Sequence, residues 1–367
     1  MLLRSAEILN FKNIAEARID FSPKVNCVLG RNAMGKSNLL EAVHFMSFLR
    51  GFRTLPDAEY LRHTTDTALL KGEYVSDGGV SCNLSVGFTR GKRKSVRADG
   101  KEYKRVALHI GRLPLVLVAP QDTAIVQGAG QERRRFMDMV ISQADGAYLQ
   151  RLMRYTRSLE SRNRMLRSGI RDSLLFESVE QPLCEAAAAI YDTRRKWAEA
   201  LAPIFAGYHR ELSAGADDVQ IHYRSALADC PMAELLEANR QRDALLGYTS
   251  AGVHRDDLET TLGSHALRSV GSQGQLKTFT VALKLAVFDY LRQTGGETPL
   301  LLLDDIFDKL DASRVEHILH VVGPASGFGQ IFITDSDKVR TRGIVDAVTS
   351  DRAYIKAEGG VFTRTDE

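Results

Sequence analysis

Eight residues constrain this chain more than any others: Gly30-Arg31-Asn32-Ala33-Met34-Gly35-Lys36-Ser37. They fit the pattern G-x-x-x-x-G-K-[ST], a loop whose backbone N–H groups cradle phosphate at the start of a helix. The flanking residues agree with that reading. Val25-Asn26-Cys27-Val28-Leu29 reads as a short buried strand. Asn38 to Leu49 carries Leu39, Leu40, Ala42, Val43, Phe45 and Met46, the apolar density of a well-buried helix. Strand, loop and helix in this order make an α/β nucleotide-binding unit, with ATP and Mg²⁺ as the expected ligands. Lys36 would face the β- and γ-phosphates and the Ser37 hydroxyl would hold Mg²⁺. With the loop empty, the Lys36 side chain is expected to be exposed.

Two later stretches answer the loop. Pro299-Leu300-Leu301-Leu302-Leu303-Asp304-Asp305 is an apolar strand ending in two carboxylates. Burying such a pair is costly without a cation or a proton nearby. Asp304 is therefore expected to hold Mg²⁺, mostly through water, and Asp305 to orient or deprotonate an attacking water. Gly271-Ser272-Gln273-Gly274-Gln275 opens a helix that runs to Leu291. A small hydroxyl and a glycine at a helix N-terminus make a second anion site, and Ser272 alone equally makes an ordinary N-cap.

Between these landmarks the sequence changes character. Short strands are expected at Ser5–Leu9 and Ala17–Phe21, then an antiparallel meander over 68–75, 80–88 and 94–98, punctuated by Asp77-Gly78-Gly79 and Asp99-Gly100. Leu113–Ala119 reads as a buried strand. From Gln131 to about Ser213 the pattern is helical: Leu152, Leu159 and Leu166 recur every seven residues, and further helices are expected around Leu183–Tyr191 and Trp197–Leu212. Strand signals resume at Val219–Tyr223, and Asp257–Thr261 is a strand after the His254-Arg255-Asp256-Asp257 turn. The expected organisation is a head built from 1–125 and 214–367, with an all-helical arm inserted over 126–213.

The ordered set Gly30–Ser37, Ser272–Gln275, Leu300–Asp305 and Asp308-Lys309-Leu310-Asp311 resembles the Walker A loop, signature, Walker B and D-loop of ABC-type ATPases. Within that superfamily the chain is similar to the RecF family of bacterial recombination mediators, nearly end to end. The matching stretches include Asn10–Asn13, Asn38–Ala42, Arg133–Asp138, Arg162-Asn163, His254–Asp257 and Gln330–Thr334 before Asp335. The resemblance implies an ABC/SMC-like head with an antiparallel β lobe and the inserted arm. It further implies head-to-tail homodimers in which Ser272, with Gly274 and Gln275, caps the γ-phosphate held by the other copy. Gln121 is placed like a Q-loop residue, a further metal-site candidate. The family's partners would be RecR, with RecO and RecA in the same pathway. Four positions depart from the family pattern: Ala33 for Gly, Lys12 for Arg, Gly130 for Pro and Val253 for Pro.

Ten arginines and four acids lie between Gln131 and Arg171. An arginine stripe, with Arg154, Arg157 and Arg164 on one face, suits the backbone of single- or double-stranded DNA without reading its sequence. A solvated, salt-bridged helix face has the same composition. The net charge of +3 decides nothing, so any basic surface is local. No apolar run approaches eighteen residues, and the four cysteines, Cys27, Cys82, Cys184 and Cys230, form no C-x-x-C pair, so a cytoplasmic protein with reduced thiols and no membrane contact is expected. The ATPase subunit of a transporter and another ABC-type DNA repair ATPase are the competing readings. A nuclease would need a second carboxylate cluster, and a chromosome organiser would need long heptad arms.

Overall fold

The computed structural model describes residues 1–53, 55–306, 318, 321–322 and 327–365. The D-loop-like stretch 308–311 lies outside the described residues. The chain forms two compact units, one of 1–121 with 291–367 and one of 122–290.

The first unit holds two six-stranded sheets. One is antiparallel, with order β2-β1-β4-β5-β6-β7, where β1 is Leu2–Phe11, β2 Ile14–Asp20, β4 Thr67–Val75, β5 Ser81–Thr89, β6 Ser95–Ala98 and β7 Lys101–Glu102. Its hairpins form where turn chemistry calls for them: Asp99 and Gly100 both have positive φ (50° and 76°), the two-residue geometry that matches strand twist. The other sheet has order β15-β14-β3-β13-β12-β8, from β3 (Val25–Leu29), β8 (Leu115–Val118), β12 (Leu300–Asp304), β13 (Ile331–Asp335), β14 (Arg352–Glu358) and β15 (Val361–Thr365). All its pairings are parallel except β14 with β15. β3, β12 and β13 are buried at every position, as continuous apolar strands of a covered parallel sheet should be.

Helix α1 (Lys36–Phe48) fills the space between these sheets and is buried along nearly its whole length. Phe45 stacks on Phe88 at 5.2 Å and meets Phe11 and Tyr60 edge-on, so the antiparallel sheet grips one side of the helix through aromatic rings. Gln330, itself buried, joins the sheets: it donates to the carbonyls of Leu3 and Ser22 and accepts from the Leu3 N–H, each at 2.8 Å.

The second unit is built on α2 (Gly130–Ala144), α3 (Gly146–Arg167) and α4 (Ser173–Leu212), beside a three-stranded sheet of β9 (Val219–Arg224), β10 (Asp257–Leu262) and β11 (His265–Ala266). Here the sequence reading needs correction in two places. The helices expected around 183–191 and 197–212 are one 40-residue helix, α4, which tolerates Pro182 and Pro203 in its interior. Phe176, Leu183, Ile190 and Trp197, one heptad apart, are all buried along it, and that continuous seam outweighs the local proline penalty. On α3 the most buried heptad line is Tyr148, Tyr155 and Arg162, while Leu152 and Leu159 are half-buried. The compact unit runs to Tyr290, taking in the sheet and most of helix α5 (Gln273–Thr294). Phe205 of α4 packs on Phe279 of α5 at 4.9 Å, and Tyr208 donates to Asp289 at 2.6 Å.

Buried arginines explain several sequence motifs in this unit. Arg194 donates to Asp256, the Val253 carbonyl, Asp138 and Tyr148, at 2.7–3.0 Å. Arg133 grips Asp257 with two hydrogen bonds of 2.6 and 2.8 Å. Arg162 pairs with Glu180 and Asp243, both at 2.7 Å. His254 lies against the Tyr155 hydroxyl at 2.6 Å and the Thr249 carbonyl at 2.9 Å, and burial pushes its pKa down to about 4. His254–Asp257 thus forms a short helical turn running into β10, tied to the helices by ion pairs.

Candidate nucleotide site

The carboxyl ends of β3, β13 and β12 lie side by side: Leu29 pairs with Asp335, and Thr334 with Asp304. Ligands of open parallel sheets gather at this edge. Gly30–Gly35 leaves β3 and feeds directly into α1, and two glycines make the turn possible. A Cβ on Gly30 would sit 2.4 Å from the Ala357 carbonyl, and Gly35 has φ 101° with the Asn13 amide 2.8 Å from where its Cβ would be. Asn13 is fixed in turn by Asn38, whose amide donates to it at 2.7 Å.

Ala33 also has positive φ, 64°. Only glycine adopts that conformation without steric cost, which gives a backbone reason why this departure from the family pattern matters. Lys12 has φ 52°, and its ammonium is paired with buried Glu41 of α1 and lies 5.2 Å from the centre of the Tyr60 ring. The lysine at this position is therefore a packing and charge partner of the loop helix.

Lys36 differs from expectation. Its side chain is 3% exposed rather than open to solvent, because the ammonium donates to the carbonyls of Gly30 (3.0 Å) and Arg31 (3.2 Å) at the loop entrance. Asp305 Oδ1 is 3.9 Å away. Ser37 donates to Asp304 Oδ1 at 2.8 Å, and Thr334 donates to the same oxygen at 2.8 Å. The Thr334 hydroxyl also accepts from the Asp305 N–H at 2.9 Å, holding a residue whose φ of 45° is uncommon for Asp. Thr334 thereby fixes both carboxylate residues, a role that only strand pairing reveals. Asp335 is engaged in capping, accepting from Thr341 (2.6 Å), Arg340 (3.0 Å) and the Asp337 N–H (3.1 Å).

A cleft of about 460 Å³ opens over this arrangement, lined by Asn32, Ala33, Gly35, Lys36 and Ser37, with Asn13, Asn38, Arg53, Asp305 and Ser336. The loop residues Gly30, Arg31 and Met34 complete the turn beneath it. The donor set suits a polyphosphate with a hard cation: a lysine ammonium, N–H groups at a helix start, and a hydroxyl and carboxylate 2.8 Å apart. Among the described residues no group of three or more His, Cys, Asp or Glu side chains is arranged to hold a metal by itself, so a cation here would take its remaining ligands from phosphate and water. Gln121 is exposed in the turn after β8 and is not among the residues lining the cleft. Asn13, Arg53 and Ser336 line it without having been singled out as ligands in the sequence, since each arrives from a separate loop.

The other candidate residues belong to the second unit. Ser272, Gly274 and Gln275 stand at the N-terminus of α5. The Ser272 hydroxyl accepts from the Gln275 N–H at 3.2 Å, and the Gln275 side chain accepts from the Ser272 N–H at 2.8 Å. This reciprocal pair is a capping box. On α3, Arg154, Arg157 and Arg164 are all exposed; Arg154 pairs with Glu185 of α4 at 3.0 Å and Arg164 donates to Ser161 at 3.1 Å. Of the ten arginines counted in the sequence, Arg133 and Arg162 are buried in ion pairs and do not contribute to a surface stripe. No helix among the described residues is long and apolar enough to cross a membrane.

Residues 1–74 match the family model of an AAA ATPase domain. Over nearly its whole length the chain is similar to the DNA replication and repair protein RecF of Porphyromonas gingivalis, 45% identical over 361 residues that cover 98% of this chain and 99% of that protein. The RecF of Parabacteroides distasonis is 43% identical over 360 residues, 98% of each chain. Among solved structures, the recombination mediator protein RecF-ATP in the RecFOR pathway superposes with a TM-score of 0.89 at 27% identity, over 99% of this chain and 97% of that one. The Smc head domain of Pyrococcus furiosus shares the fold alone, with a TM-score of 0.59 at 15% identity. The fold is an ABC/SMC-type ATPase head with an antiparallel β lobe and a helical arm, and the chain belongs to the RecF family.

Proposed function

We propose that this chain is an ATP-operated DNA clamp acting in recombinational repair and replication restart. The observation that carries this reading is the grouping of Lys36, Ser37, Asp304 and Asp305 around one cleft at the strand ends, with Ser37 and Asp304 in direct contact. Gly30–Ser37 would bind the triphosphate of ATP through backbone N–H groups, and Lys36 would neutralise the β- and γ-phosphates. Ser37 and Asp304 would hold Mg²⁺, with Gln121 as a more distant candidate; the ion, when bound, screens the phosphate charge. Asp305 orients or deprotonates the attacking water, held for that purpose by Thr334.

Two copies pair head to tail, and Ser272, Gly274 and Gln275 of one face the γ-phosphate on the other. DNA, single- or double-stranded, is held near gaps without sequence preference, with Arg154, Arg157 and Arg164 contributing from the arm. Slow, DNA-stimulated hydrolysis to ADP and phosphate reopens the dimer. The relative described in the RecFOR pathway supports placing this chain in that pathway, where RecR and RecO would be its partners and RecA the protein loaded.

The test combines light scattering with DNA titration. The parent should dimerise only with ATP and Mg²⁺, and Ser272→Arg should bind ATP yet remain monomeric. Log K for duplex DNA should fall by about 0.9 per phosphate contact with log salt, and replacing Arg154, Arg157 and Arg164 with Ala should flatten that slope. A Ser272→Arg variant that dimerises normally would reduce Ser272 to a helix cap, and an unchanged slope would place DNA elsewhere.

A further inference from the structure

The Gln275 side chain is used at both ends. Its carbonyl accepts from the Ser272 N–H at 2.8 Å, and its amide NH₂ donates to Asp217 Oδ1 at 2.7 Å. Asp217 stands just before β9, in a loop held by the bond from the Gly263 N–H to the Asp218 carbonyl, 2.8 Å. A side-chain amide can be turned over at little cost unless its surroundings distinguish oxygen from nitrogen. Here they do. A carboxylate accepts only, so it requires the NH₂ end of Gln275 and leaves the oxygen end for the Ser272 N–H.

We infer that Asp217 is a positioning residue for the signature serine, orienting Gln275 so that the Ser272 backbone and hydroxyl hold one arrangement. The inference rests on the reading that Ser272 acts on the nucleotide of a second copy. Asp217 itself touches no nucleotide, and the phosphate loop lies in the other compact unit. Loss of the carboxylate therefore acts on the turnover of the paired state and leaves ATP entry alone.

The discriminating substitution is Asp217→Lys. An ammonium only donates, so Gln275 would turn its oxygen toward residue 217 and present NH₂ to the Ser272 N–H, opening the capping box. Asp217→Asn keeps an acceptor oxygen at nearly the same volume and should retain most of the function. Measured on the full chain with ATP, Mg²⁺ and DNA, kcat should fall about tenfold in Asp217→Lys, the scale of one lost charge-assisted hydrogen bond. KM and the ATP affinity of the monomer should stay within about twofold, with circular dichroism unchanged.

Ser272→Ala and the double variant complete the cycle. If Asp217 works through Ser272, Asp217→Lys costs little more once Ser272 is gone. Fully multiplicative losses, or an Asp217→Asn variant as impaired as Asp217→Lys, overturn the inference while leaving the head-to-tail reading intact. A Ser272→Ala variant with parental kcat instead removes the role of Ser272 in trans, and the positioning role falls with it.

Discussion

Lys36 offers the sharpest test of the nucleotide site, because its burial gives one substitution two separable effects. In the chain described here the ammonium donates to two loop carbonyls, at 3.0 and 3.2 Å, and its side chain is 3% exposed. Lys36→Ala therefore leaves the Gly30 and Arg31 carbonyls without these donors and opens a gap under the loop. Hydrogen bonds to charged groups contribute about 1.5–3 kcal/mol each. Water reaching the part-buried Arg31 carbonyl and relaxation of the loop recover a share of that. A net loss of about 2 kcal/mol is expected, a fall in Tm of roughly 3 °C for a chain of this size. Lys36→Met keeps most of the stem volume and should lose less. Both variants should lose ATP affinity alike, by about a hundredfold, since the point charge facing the phosphates is gone from each. Thermal melts without nucleotide, beside an ATP–Mg²⁺ titration, separate the two effects. Parental affinity in either variant would show that Gly30–Ser37 is not the nucleotide site. Equal affinity loss with an unchanged Tm in Lys36→Ala would refute the structural role assigned to the two carbonyl contacts.

Ala33→Gly should stabilise the chain by about 1 kcal/mol, because it removes a Cβ from a residue at φ 64°; a chemical denaturation midpoint that falls would refute the strain argument. Stability should also drop on acidification through a buried histidine. His109 is 1% exposed, one ring nitrogen lies 2.7 Å from the Met46 carbonyl, and burial lowers its pKa from 6.5 to about 4. Between those values the unfolded chain binds a proton that the folded chain does not, so this contribution is complete above about pH 6.5 and is lost on descending to about pH 4. At 1.36 kcal/mol per pH unit the window is worth roughly 3 kcal/mol, and His109→Gln should flatten the fall measured by denaturation between pH 7 and 4.

What the sequence revealed, and what it hid, divides along a physical line. The phosphate loop, the strand before it and the helix after it were legible because their constraints are local: a positive φ at Gly35 and apolar residues too dense for any exposed helix. The paired aspartates were legible because carboxylates at the end of a buried strand demand an explanation. Thr334 was not, since its two bonds to Asp304 and Asp305 exist only after β13 pairs with β12. The arginines show the same limit more sharply. In sequence, Arg133, Arg162 and Arg164 are members of one basic run. In the fold, Arg133 is fastened to Asp257, 124 positions away, and Arg162 to Asp243, 81 positions away, while Arg164 stays at the surface. A charge becomes structural when a distant acid closes over it, and removing one member of such a buried pair typically costs 3–5 kcal/mol. Substituting the run wholesale would therefore unfold the arm and imitate a loss of DNA binding. Arg154, Arg157 and Arg164, which are exposed, let the electrostatic question be asked without the structural one, although Arg154 first has to leave Glu185.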